Sequence, residues 1–199
     1  MEIKFVLGDK NKIMNKSILK KVCLVVVLIV LAVAWRVINH NLQLAPNLEL
    51  ITVVSVMAAV IIGWKAALVV PITSMILSDL IIGNSSIFIF TWGSFVIIGL
   101  GALLLRKLSQ KPKSQILYSV GFAIASSFLF FAVTNFGVWA QGWYPATWSG
   151  LINCFTMAIP FYRTMLIGNV ILVPTAIAIW QLIRARQTAK SLVIDALVR

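Results

Sequence analysis

The sequence predicts an all-α integral membrane protein, a bundle of six transmembrane helices with both termini on the inner side. Three observations predict this. Hydrophobic residues make up 61% of the 199 and charged residues only 11%, with a mean hydropathy of +1.01, whereas soluble domains are roughly 45–50% apolar. The apolar residues fall into continuous runs rather than alternating, which argues for helices and against a strand barrel. The basic residues cluster in every second connection, the pattern set by the preference for positive charge on the inner side.

Residues 1–21 form a basic leader holding Lys4, Lys10, Lys12, Lys16, Lys20 and Lys21. Residues 22–183 are the membrane domain, and 184–199 a basic tail. Within the domain the spans read as Val22–Ile38, Leu48–Ile62, Ala66–Ile82, Ile87–Leu105, Ile116–Phe136 and Ala158–Ile183, with an outer loop at 137–157. Several are near or below the ~17–25 residues that cross a bilayer upright, so tilt or local thinning is expected. With the N-terminus inside, 15 of the 17 Lys and Arg lie on inner segments, and only Arg36 and Arg163 lie toward the outside. Ala32-Val33-Ala34 resembles a signal-peptidase site after a basic leader. The apolar run nevertheless continues through Trp35, Val37 and Ile38, which favours an uncleaved first span. The expected location is the cell membrane, crossed several times.

Several chemistries are excluded or weakly represented. Basic residues flanking spans are explained by topology, so nucleic acid is not an expected partner. His40 is the only His, and no Cys/His cluster offers a metal site. Cys23 and Cys154 fall on opposite sides of the bilayer, beyond bridging distance. Ser149-Gly150 lacks the Gly-x-Ser-x-Gly elbow of a hydrolase, and no phosphate-binding Walker A motif is present. No catalytic residue and no cofactor are expected.

The informative residues are ionisable groups that enter the apolar runs. Arg36, Glu49, Asp79 and Arg163 all map to the outer third, two positive and two negative groups on four helices. Each costs about 2.5–3.5 kcal/mol at mid-membrane on insertion scales, so such groups turn inward and find partners. Two readings stay open. Salt bridges such as Arg36–Glu49 and Asp79–Arg163 would tie helices together, making this a structural or assembly protein. Alternatively the four line a polar pocket open to the outside, with Thr52, Ser55, Ser74 and Ser78 as neutral partners on the same helices.

The stretch TNFGVWAQGWYPATWSGLINCFTMAIPFYR, residues 134–163, would form the mouth of such a pocket. Asn135 supplies an uncharged hydrogen-bonding group, and Trp139, Trp143, Tyr144 and Trp148 have the amphipathic rings that settle at a membrane boundary or cover a site. Mixed charge with Trp and Tyr suits a zwitterionic or aromatic small solute. Gly99-Leu100-Gly101-Ala102, and Ala59 with Gly63, read as smooth faces for close helix packing, and Pro71, Pro160 and Pro174 as kinks.

The leader, the short spans, NLELITVVSVMAAVIIGWKAALVVPITSMILSDLIIG and TNFGVWAQGWYPATWSGLINCFTMAIPFYRTMLIGN together resemble a family of small uncharacterised bacterial membrane proteins. These are similar in turn to the substrate-binding S components of energy-coupling factor transporters. The resemblance implies capture of a small solute and cooperation with an energy-coupling transmembrane subunit and ATPases. No residue of a particular vitamin site carries over. Val22–Val33 lacks the small-xxx-small motif of an S component's first helix, which bears on docking to that partner.

Overall fold

The computed structural model describes the backbone of residues 2–108 and 112–198, and the side chains of 16–107, 112–193 and 196–197. Lys111 and Arg199, both counted above as inner charges, lie outside the described residues, as do the side chains of Lys4, Lys10 and Lys12. The described chain is helical apart from its turns: α1 (Glu2–Leu42), α2 (Ile51–Ile61), α3 (Trp64–Ile82), α4 (Phe88–Gly101), α5 (Leu103–Leu108), α6 (Pro112–Ala140) and α7 (Trp148–Val198). Five stretches are long and apolar enough to cross a membrane: Lys16–Leu42, Trp64–Ile82, Phe88–Lys107, Pro112–Ala140 and Trp148–Val193.

The second expected span is the exception, because α2 has only 11 residues. At 1.5 Å per residue it is roughly 16 Å long, about half the ~30 Å hydrocarbon core. It packs against α1, α3, α4, α5 and α7, and Ile51, Thr52, Val54, Ser55, Val56, Ala58 and Ala59 are buried. A helix apolar on every face belongs in an interior, and α2 is the short central post of the bundle. The remaining helices surround it, with α6 against α7 the most extensive pairing.

Glycine placement permits two of the close approaches. A Cβ on Gly99 would strike the carbonyl of Ala67, so α4 can lie against α3 only with glycine there. Gly63, at φ +123°, ends α2 in a conformation that side chains avoid and turns the chain into α3.

Two boundaries differ from the sequence expectation. The leader and the tail are helical continuations of α1 and α7, in keeping with the good helix propensity of their Lys, Arg, Leu and Ala. The long outer loop shrinks to residues 141–147, because α6 runs to Ala140 and α7 starts at Trp148. Thr147 Oγ1 accepts from Gly150 N at 3.1 Å, capping α7 earlier than hydropathy indicated.

Candidate binding site

The chain between α1 and α2 folds over the N-terminal end of α2, and its backbone groups need partners where they are shielded from water. Two α1 side chains supply them. Asn39 Nδ2 donates to the carbonyls of Ala45 at 2.8 Å and Leu48 at 3.0 Å, and Asn39 Oδ1 accepts from Ala45 N at 3.0 Å. Trp35 Nε1 also donates to Leu48 O at 2.9 Å. Gln43 and Asn47 adopt positive φ to make the turns. Leu48 then seats against Gly168 of α7, where a Cβ would collide with it.

Above α2 this folded segment borders a cavity of about 360 Å³, lined by Arg36, Asn39, His40, Asn47, Glu49 and Met75 among others. A second lobe of about 190 Å³ shares Asn47, Ile87, Thr91, Phe130 and Met165 with it, and extends between α6 and α7 to Asn135 and Tyr162.

The charges under the cavity are organised around Asp79. Arg36 Nη1 pairs with Asp79 Oδ1 and donates to Ser78 Oγ at 2.6 Å. The other carboxylate oxygen accepts from Trp92 Nε1 at 2.7 Å. Three helices, α1, α3 and α4, are thereby joined through one carboxylate. Asp79 is 5% exposed at its side chain and Arg36 26%, so the acid is enclosed while the guanidinium reaches the cavity. Among the described residues the hydrogen bonds of Arg36 all run through Nη1, leaving Nε and Nη2 as donors for something else. Glu49 lies across the same cavity, half-buried, and accepts from Thr52 N at 2.9 Å and Thr52 Oγ1 at 2.5 Å. It thus closes the first turn of α2, where a negative charge is favoured by the helix dipole.

The remaining residues expected at the site divide. Asn135 lines the second lobe; its Nδ2 returns to Phe131 O at 2.7 Å, and its carbonyl accepts from Cys154 Sγ at 3.4 Å. Arg163 is exposed on α7, and Asp79 takes Arg36 rather than Arg163, so the pairings Arg36–Glu49 and Asp79–Arg163 are replaced by Arg36–Asp79. The spacing explains this: Met165, two residues on, faces the cavity, and a two-residue step on a helix turns to nearly the opposite side. Trp139 donates from Nε1 to Pro145 O at 3.0 Å and bridges the 141–147 turn. Trp143 and Trp148 are exposed and Tyr144 half-buried; none of these four aromatics contributes to the wall of either lobe.

Trp92 and Asn39 were missed by the sequence reading. An indole N–H inside an apolar run needs an acceptor, and Glu49 and Asp79 are the only acids within the spans, so Trp92 carried a usable signal. The role of Asn39 depends on where the chain turns after α1, which nothing local in the sequence specifies. Deeper in the bundle, Asn169 Nδ2 donates to Ser127 Oγ at 3.0 Å, a buried tie between α7 and α6. Ser74 Oγ is buried and has no partner among the described residues.

A model of a family of unknown function, DUF6580, matches residues 16–192, nearly the whole chain. The chain belongs to that family. Comparison with curated proteins and with solved structures found no match.

Proposed function

We propose that this DUF6580 member is a membrane-embedded binding protein for a small zwitterionic solute, taken up in the cavity above α2. The observation that carries the reading is the pairing of an unspent guanidinium edge on Arg36 with the Glu49 carboxylate across a cavity of about 360 Å³, within the ~300–1,000 Å³ usual for small-molecule sites. A solute carboxylate would meet Nε and Nη2 of Arg36 in the planar geometry that guanidinium favours. An ammonium would sit toward Glu49, and Phe95 and Phe130, with centroids 4.8 Å apart, offer an apolar floor.

In this reading the chain crosses the cell membrane six times, α2 serving as a half-length crossing, with both termini inside and the cavity outside. The orientation follows the positive charge on alternate connections. Uptake would need an energy-coupling transmembrane subunit and ATPases as partners, in the manner of an S component. Labelling tests the orientation: in a background lacking Cys23 and Cys154, an engineered Cys at Gln141 should react with an impermeant reagent added outside, and one at Lys107 should not. The opposite result would turn the cavity inward.

Binding is tested by thermal shift of the purified protein against amino acids and related zwitterions. A hit should disappear in Thr91→Trp, which places a large ring at a half-buried position lining both lobes and outside the Arg36–Asp79–Trp92 hydrogen bonds. Retained affinity in that variant would remove the cavity from the reading.

One observation favours the alternative, a structural or assembly protein: the Arg36–Asp79–Trp92 network joins three helices whether or not a solute is present. On that reading no zwitterion shifts the melting temperature, and Thr91→Trp has no binding to lose.

A further inference from the structure

We propose that the opposite end of the bundle holds a second site, for the headgroup of an anionic phospholipid. The end of α2 remote from Glu49 opens into a cavity of about 580 Å³, walled by Val60 and Ile61 of α2, Arg106 of α5, Gln115 of α6, and Trp180 and Arg184 of α7. Among the described residues no carboxylate belongs to its wall, and the acids that enter the spans, Glu49 and Asp79, lie at the other end of α2 and α3. Among the described residues neither Arg106 nor Arg184 forms an ion pair.

The two glutamines beside these arginines are already used. Gln181 Nε2 donates to Pro112 O and to Gln115 Oε1, each at 3.0 Å, and Gln115 Nε2 reaches Leu105 O at 3.5 Å. These bonds brace α5, α6 and α7 into a fixed frame and leave the two guanidiniums as the charged donors in the wall, beside Trp180. Arg106 is seated by Gly63, where a Cβ would stand 2.7 Å from its Nη1.

An anion is the complement of such a cavity, and the surroundings select one carrying acyl chains. Leu104, Leu117 and Leu182, on the same three helices and within two residues of wall positions, are more than half exposed. In a membrane these side chains meet acyl tails at the level where Trp180 and the arginines meet headgroups. Basic pockets between spanning helices are a known mode of anionic headgroup recognition.

The test uses the full chain purified in neutral detergent. Phosphatidylglycerol should raise the melting temperature where phosphatidylcholine does not, and native mass spectrometry should show one retained phosphatidylglycerol. Arg106→Gln with Arg184→Gln should weaken that binding about tenfold or more, while Lys107→Gln with Arg186→Gln, outside the cavity wall, should leave it unchanged. If the cavity double variant folds poorly, Arg184→Gln alone, on an exposed and unpaired residue, should still lose the retained lipid. Equal stabilisation by glycerol phosphate or inorganic phosphate would overturn the proposal in favour of a soluble anion. Equal loss in both double variants would reduce it to diffuse surface charge, and no response to phosphatidylglycerol would remove the site.

Discussion

The two ends of α2 carry the same geometrical feature and opposite chemistry. A helix roughly half as long as the bilayer is thick leaves space at both of its ends. At the Glu49 end the space is bordered by charges of both signs that are already engaged: Arg36 with Asp79, Asp79 with Trp92, Glu49 with Thr52. At the Gly63 end it is bordered by arginines whose neighbours have bonded to one another. The first arrangement resists distortion and presents a few fixed donors; the second holds unspent positive charge. A short central helix thus creates the room, and the side chains at its ends decide what can occupy it.

The sharpest way to break this comparison is to remove one charge from each end. Asp79→Ala should leave Arg36 without its counter-ion and Trp92 Nε1 without an acceptor. The cost should be about 3 kcal/mol, the lower part of the ~3–5 range for a broken buried pair, because the partly exposed guanidinium regains some solvation. Arg106→Ala, at an exposed position, should change stability by no more than ~0.5 kcal/mol. Equilibrium unfolding of both variants in detergent checks the pair; similar losses would mean that the two ends do not differ as described.

Packing around the post comes next. Gly99→Ala should cost roughly 1–3 kcal/mol, since its Cβ meets the Ala67 backbone, which cannot rotate away. Gly93→Ala on the same helix, with open space around its Cβ, should be neutral or slightly stabilising through helix propensity. The same unfolding measurement sharpens the comparison by separating close helix approach from composition.

Asn39→Ala tests whether the folded segment above α2 depends on side-chain bonding. Leu48 O would keep Trp35 and Ala45 O would keep the Leu48 N–H, but the Ala45 N–H would lose its partner, a loss of about 1–2 kcal/mol. Hydrogen exchange at residues 43–50 should rise while α2 stays protected; unchanged exchange would show that the segment stands without Asn39.

Trp143→Ala should have the smallest effect, within ~0.5 kcal/mol in stability, because the ring is exposed and contacts neither lobe. If the ring nonetheless covers the mouth during capture, the solute's off-rate should rise with stability unchanged. Stopped-flow release in the variant measures this directly.

How much was legible in advance differs by residue. Arg36 and Asp79 stood out because a charge in an apolar run is expensive wherever the helix turns, and the need for a partner follows from that cost. Which acid would serve Arg36 did not follow, since Glu49 and Asp79 are equally acidic and lie at similar depth in their runs. Their difference is rotational: Asp79 points from α3 toward α1 and α4, whereas Glu49 is held by Thr52 three residues on. Arg163 was flagged by the same cost argument, yet the register of α7 directs Met165 rather than Arg163 into the cavity.

By itself, then, the sequence determined the solvent this protein folds in, the helical class and the residues that would be costly to leave facing lipid, because hydropathy and the cost of charge act on each residue wherever it ends up. The tertiary structure alone decided that α2 would be a half-length post, that Asn39 would satisfy the chain above it, and that one guanidinium would be shared between Asp79 and a cavity. Those outcomes depend on helix rotation and on which backbone groups lose water, quantities that exist only once the neighbouring helices are in place.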